Sequence, residues 1–146
     1  MFYPFTEFNK MSEQLLHSDI TEEMIGVFYH VYNQLGYGFS EKVYHKAMLI
    51  TLRKDGWSVE SEKKISVFFE GENVGDYYAD IVVEGKVMLE LKSAEQLSKE
   101  HEIQLMNYLR STEIEVGLLF NFGKSAQFKR KYFTNDKKKL REYEEE

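Results

Sequence analysis

A chain of 146 residues with no cysteine and one proline can bury a core of two or three layers in one domain, and it has neither disulfides nor thiolate metal sites. No stretch reads as a signal peptide or membrane span, so the expected location is cytoplasmic, with no membrane partner. The formal net charge of −6 offers no general attraction to nucleic acid, so a partner of that kind needs a local basic surface.

Residues 1–19 carry aromatics without periodicity and read as an N-terminal arm, packed on the domain or on a second copy as a homodimer. Thr21 is an expected N-cap, with Glu22 and Glu23 in the first turn, for a helix running through Met24, Ile25, Phe28, Val31, Tyr32 and Leu35. Gly36 ends it, and Gly36-Tyr37-Gly38 forms a tight joint. Ser40 then caps a second helix with Val43, Ala47, Ile50 and Leu52 at its apolar positions, stopping near Asp55-Gly56.

From Trp57 the pattern becomes β and continues as a meander of about three strands. Ser98 opens a helix to about residue 111, with Ile103, Met106 and Leu109 on one stripe and His101, Gln104 and Tyr108 on another. Residues 115–122 are nearly all apolar, as in a strand covered on both faces. A final edge strand bears Lys129, Arg130 and Lys131, which are candidates for nucleic-acid phosphate contact. Residues 134–146 read as a charged, solvated tail, leaving residues 20–133 as the domain. The order ααβββαββ predicts an α/β fold with a mixed sheet of about four to five strands flanked by helices.

The meander is organised around the hairpin of residues 76–93, which turns at Glu84-Gly85. A two-residue loop would set Asp80 opposite Leu89 and mix the faces. A loop of three, residues 84–86, sets Val83 against Val87, Ile81 against Leu89 and Asp80 against Glu90. The second register is expected. It gathers Ala79, Ile81, Val83, Val87, Leu89 and Leu91 on one face, and Tyr78, Asp80, Val82, Met88, Glu90 and Lys92 on the other. Carboxylates on strands otherwise suited to a core cost free energy unless something pairs with them. Read alone, they fit either a divalent metal or ion pairs with Lys92 and another cation.

Asp80 followed by Glu90-Leu91-Lys92 spells D-x9-E-x-K on adjacent strands and resembles the signature of the PD-(D/E)XK nuclease superfamily. Gly38-Phe39-Ser40-Glu41-Lys42-Val43-Tyr44 fits G-x-x-E-x-x-Y, the motif of the GxxExxY family within it. Ile25-Gly26, Leu35-Gly36, residues 104–109 and residues 117–123 resemble that family's other blocks, so the resemblance covers about residues 20–133. It implies a restriction-endonuclease-like core and a metal-dependent nuclease acting on DNA or RNA.

Asp80 and Glu90 offer the hard oxygen ligands that Mg²⁺ or Mn²⁺ takes. The superfamily adds the backbone carbonyl of the residue between Glu and Lys, here Leu91. The resemblance makes Lys92 the group that stabilises the transition state, Glu41 a supporting acid and Gln104 an orienting amide. Tyr44 reads equally as a core aromatic. The rival readings are a non-catalytic module binding nucleic acid or protein on the same fold, and an assembly role for the arm.

Overall fold

The computed structural model describes residues 16–139; most of the expected arm and the last residues of the expected tail lie outside that range. Helices α1 (Ser18–Leu35) and α2 (Glu41–Lys54) precede strands β1 (Val59–Phe69), β2 (Glu72–Val83) and β3 (Val87–Lys92). Helix α3 (Lys99–Arg110) then leads to β4 (Val116–Phe122) and β5 (Ala126–Tyr132). These strands form one sheet in the order β1-β2-β3-β4-β5. Among the described strands only the β3–β4 pair is parallel, because α3 carries the chain across between them. The α/β architecture and mixed sheet agree with the sequence reading.

Two apolar layers hold the sheet. On one face α1 and α2 place Met24, Phe28, Val31, Tyr44, Met48 and Leu52 against Ile81, Val83, Leu89, Leu91, Leu118, Phe120 and Phe122. Phe28 stacks on Phe120 at 4.5 Å and meets the edge of Phe122, while Tyr44 stacks on Phe122 at 4.2 Å. On the other face Leu105, Tyr108 and Leu109 of α3 cover Ile65, Ala79, Val82, Met88 and Leu119. Every residue of β4 is buried, as its continuous apolar run implies.

Helix details depart from the sequence reading. Helix α1 begins at Ser18, one turn early, so Thr21 lies inside it and its hydroxyl donates to the Ser18 carbonyl (3.3 Å). The stripe of α2 is Tyr44, Met48, Leu49 and Leu52, which leaves Val43 and Ile50 exposed; tertiary packing covered the bulkier of two overlapping faces. On α3 the core positions are Leu105, Tyr108 and Leu109, and Ile103 is exposed. Ser98 caps α3 as expected: its hydroxyl accepts from the His101 N–H (3.3 Å), and its own N–H donates to His101 Nδ1 (3.1 Å).

Beyond β5 the chain is anchored as far as Lys138. A short 3₁₀ turn (Asn135–Lys137) tucks in Lys138, which is buried and donates from Nζ to the Thr112 and Ile114 carbonyls (2.9 and 2.7 Å). Charge composition alone cannot reveal such a backbone cage, and over this stretch the expectation of a solvated tail is corrected.

The segment after β3 is clamped by Asn121, a fully buried residue of β4. Its Oδ1 accepts from the Ala94 N–H and its Nδ2 donates to the Ala94 carbonyl, both at 2.9 Å. Gly123 completes the fit, because a Cβ there would collide with the Ala94 carbonyl oxygen. Asn121→Ala should therefore lower stability by about 2 kcal/mol or more, since it leaves two backbone groups without partners. Urea unfolding will read this as a lower midpoint at unchanged slope; an unshifted midpoint would show that the clamp contributes nothing.

Candidate active site between the central strands

The hairpin loop spans three residues. Glu84 and Gly85 adopt φ of 55° and 64°, and the Lys86 N–H donates to the Val83 carbonyl (2.9 Å). Val83 pairs with Val87, Val82 with Met88 and Ile81 with Leu89. This is the register that sets Asp80 across from Glu90.

The backbone ladder stops one step short of those two residues. Their side chains take its place: Asp80 Oδ2 accepts from the Leu91 N–H (2.7 Å), and Glu90 Oε1 accepts from the Asp80 N–H (3.0 Å). The strand alternation inverts at the same point. Ala79 packs beneath α3 whereas Ile81 packs beneath α1 and α2, although strict alternation would put both on one face. Opposite Asp80 on β1, Glu62 has φ of 52° and no partner in the register. The irregularity lets the Asp80 carboxylate lie between the strands, and the single apolar face expected from Ala79 to Leu91 is corrected accordingly.

Glu90 is almost wholly buried, at 4% exposure. Desolvation, then the neighbouring Asp80 charge, push its carboxyl well above the usual range; the Asp80 N–H and the Lys92 charge only partly oppose this. Two carboxylates thus share a site that favours either a proton or a cation. Tyr108 lies close by, and burial, followed by the charges of Glu90 and Asp80, pushes its phenol up to about 12.

Lys92 does not form the ion pair that a purely structural reading requires. Its Nζ donates to Gln104 Oε1 (3.2 Å), and among the described residues no ion pair within 4.0 Å joins it to Asp80 or Glu90. Glu41, in the first turn of α2, lines a cleft of about 540 Å³ with Lys42, His45, Lys46, Asp80 and Leu91. The fold therefore brings Asp80, Glu90, Leu91 and Lys92 together on adjacent strands, with Glu41 facing Asp80 and Leu91 across the cleft and Gln104 holding Lys92 from the α3 side.

Lys42 and Lys46 are not singled out by the sequence motif. The signal for them is their spacing of four on the helix that carries Glu41, which puts them on one face of it. Tyr44 is a core residue: its hydroxyl donates to the Gly36 carbonyl (2.7 Å) and accepts from the Phe39 N–H (3.2 Å). His45 Nε2 lies 2.9 Å from Ser61 Oγ.

The β5 cations lie apart from the cleft. Lys129 and Lys131 both pair with Glu102 of α3 (3.3 and 2.7 Å), and these contacts hold the Glu102 carboxyl below its usual range, Lys131 contributing most. Arg130, on the alternate face, donates to the Leu16 carbonyl (2.7 Å) and lies over the Tyr132 ring.

Among the described residues no three His, Cys, Asp or Glu side chains converge on one point, so the protein's own donors are few. The Leu91 N–H points to Asp80, and in a strand the carbonyl of the same residue faces the same edge. Two carboxylate groups and one carbonyl fit a hard divalent ion that retains several waters, as Mg²⁺ does.

The raised Glu90 carboxyl fixes the sign of a pH dependence. Between the usual carboxylate range and its raised value, the folded state holds a proton that the unfolded chain has released. Stability in chelator should therefore fall as pH rises through that window, by up to about 1.4 kcal/mol per pH unit for one proton. Asp80→Asn should flatten the fall and melt no lower than wild type near neutrality. Mg²⁺ or Mn²⁺ should reverse the order by stabilising wild type alone, by about 2.7 kcal/mol at a hundredfold excess over Kd. Thermal melts with and without metal check this; a wild type that is the more stable in chelator and indifferent to metal would make the pair purely structural.

The crystal structure of SSO0001 matches with a TM-score of 0.52 at 18% identity, over 71% of this chain and 55% of that one, so the present chain spans little more than half of it and the likeness concerns the fold alone. No curated protein matches significantly. Among the described residues no helix is long and apolar enough to cross a membrane. The mixed sheet with its flanking helices is consistent with a restriction-endonuclease-like fold, and residues 18–132 match the family profile of the PD-(D/E)XK nuclease superfamily, to which this chain belongs.

Proposed function

We propose that the protein is a metal-dependent nuclease of the GxxExxY type, hydrolysing phosphodiester bonds in DNA or RNA. The observation that carries this reading is the replacement of the β2–β3 ladder by the Asp80 and Glu90 carboxylates, next to a lysine held by an amide. Members of this superfamily generally use divalent metals. Asp80, Glu90 and the Leu91 carbonyl would hold the ion, Mg²⁺ or Mn²⁺, which when bound activates water and offsets charge on a phosphoryl oxygen.

Each side chain then has a separate task. Lys92 carries its charge to the transition state and stabilises the developing negative charge there. Gln104 accepts from Lys92 Nζ and so directs the ammonium without neutralising it. Glu41 faces Asp80 across the cleft and orients water. Lys42 and Lys46 on its rim offer positive charge to flanking phosphates. Lys129 and Lys131 reach a phosphate only when they leave Glu102.

The direct test incubates labelled single- and double-stranded DNA and RNA with Mg²⁺ or Mn²⁺, against chelator. Cleavage should require metal, and Lys92→Ala should lower kcat roughly 10²- to 10³-fold with metal affinity nearly intact. Gln104→Leu should lower kcat less than Lys92→Ala does, because it frees the lysine without removing its charge. Cleavage that survives Lys92→Ala within a few-fold would remove the assigned role. Metal binding without cleavage of any substrate would favour the non-catalytic binding module.

Phosphate binding generates a separate expectation. Lys42→Ala with Lys46→Ala should weaken nucleic-acid binding and make its salt dependence shallower, by about one unit of slope for each phosphate no longer neutralised. Glu102→Gln should steepen the dependence by releasing the β5 lysines. Binding titrations over a range of salt read both, and unchanged slopes would exclude these cations.

A further inference from the structure

On the sheet face opposite the Glu41 cleft, between the β1–β2 hairpin and α3, lies a groove of about 380 Å³. It is lined by Val67, Val74, Tyr77, Ile103, Gln104 and Tyr108, with the Asn107 amide at its side. Its walls are mainly apolar and its main aromatic is open to solvent: Tyr77 is 48% exposed. The Tyr77 ring lies 5.7 Å from that of Tyr108, centre to centre. It rests against Gly75, where a Cβ would stand 3.3 Å from the ring. The absence of a side chain at residue 75 lets an aromatic plane settle on the backbone.

The groove is continuous with the candidate active site. Gln104 lines it and accepts from Lys92 Nζ at 3.2 Å. A phosphodiester placed at Lys92 would therefore have its neighbouring nucleoside within reach of the groove. A flat apolar platform beside two amides matches a nucleobase, which stacks through its face and hydrogen-bonds through its edge. A base inside a duplex is already stacked and cannot enter. Duplex binding also relies on many phosphate contacts, whereas this chain has a net charge of −6 and its β5 lysines are paired with Glu102.

We infer that this groove holds one unpaired base of the strand whose phosphodiester lies at Lys92, so that the substrate class is single-stranded or locally unpaired nucleic acid. The inference rests on the nuclease reading for the position of that phosphate. Stacking on Tyr77 supplies binding that the sparse cations do not.

The test is equilibrium binding in chelator, where cleavage cannot contribute, using short end-labelled single strands of DNA and RNA, the matching duplexes, and a strand with one abasic position. Single strands of at least one sugar type should bind more tightly than duplex, and the abasic strand more weakly than the intact one. Tyr77→Ala should weaken that binding roughly tenfold, Tyr77→Phe should retain it, and chemical-shift changes on adding the strand should fall on Tyr77, Tyr108 and Ile103. Equal affinity for duplex, or indifference to Tyr77→Ala together with shifts elsewhere, would overturn the inference. So would a groove that answers only to an apolar peptide. The nuclease reading fails separately, when metal produces no cleavage although the binding results stand.

Discussion

A backbone N–H inside a sheet needs an acceptor, and at the centre of this molecule two of them find carboxylates. The Leu91 and Asp80 N–H groups bond to Asp80 and Glu90 side chains where strand-to-strand bonds would ordinarily continue. The two acids are therefore fixed by the main chain, and among the described residues no cation forms an ion pair with either. The regular β2–β3 pairing ends at Ile81 and Leu89, one step before the acids. The shift in alternation falls at the same place, and Asp80 and Leu91 line the cleft beneath α2.

The fold was legible because its signals are redundant. Continuous apolar runs marked the inner strands, Ser98 marked the start of α3, and the hydrophobic pattern fixed the hairpin register through Val83 and Val87. The chemical groups were legible as a motif on adjacent strands. The inversion at Asp80 was not, because it depends on Glu62 of another strand adopting positive φ, and glutamate gives no local sign of that. The exposed Ile103 and Ile50 show the same limit: each fits an apolar stripe, but the neighbouring elements decided which stripe was covered. Lys138 reads as solvated in the sequence because only the folded chain brings the Thr112 and Ile114 carbonyls to it.

The G-x-x-E-x-x-Y spacing acquires a mechanical explanation. Its tyrosine, Tyr44, is stacked on Phe122 in the core, and its hydroxyl reaches back to the Gly36 carbonyl and the Phe39 N–H. The joint between α1 and α2 is thereby tied to the same ring that anchors α2. Glu41, three residues before that ring, inherits its position from a buried aromatic. The acid and the tyrosine work as a pair although only the acid faces the cleft.

The outer edge of the sheet has a consequence for association. Among the described residues strand β1 has a free side, and it carries Glu60, Glu62, Lys63 and Lys64 in close succession, with Glu62 breaking its regular course. Lys63 pairs with Glu60, and Lys64 with Asp76 across the hairpin. Charged, interrupted edges resist strand addition by another molecule. A continuous intermolecular sheet through β1 is disfavoured, so the exposed aromatic hairpin can remain open to a ligand without also inviting self-templated growth.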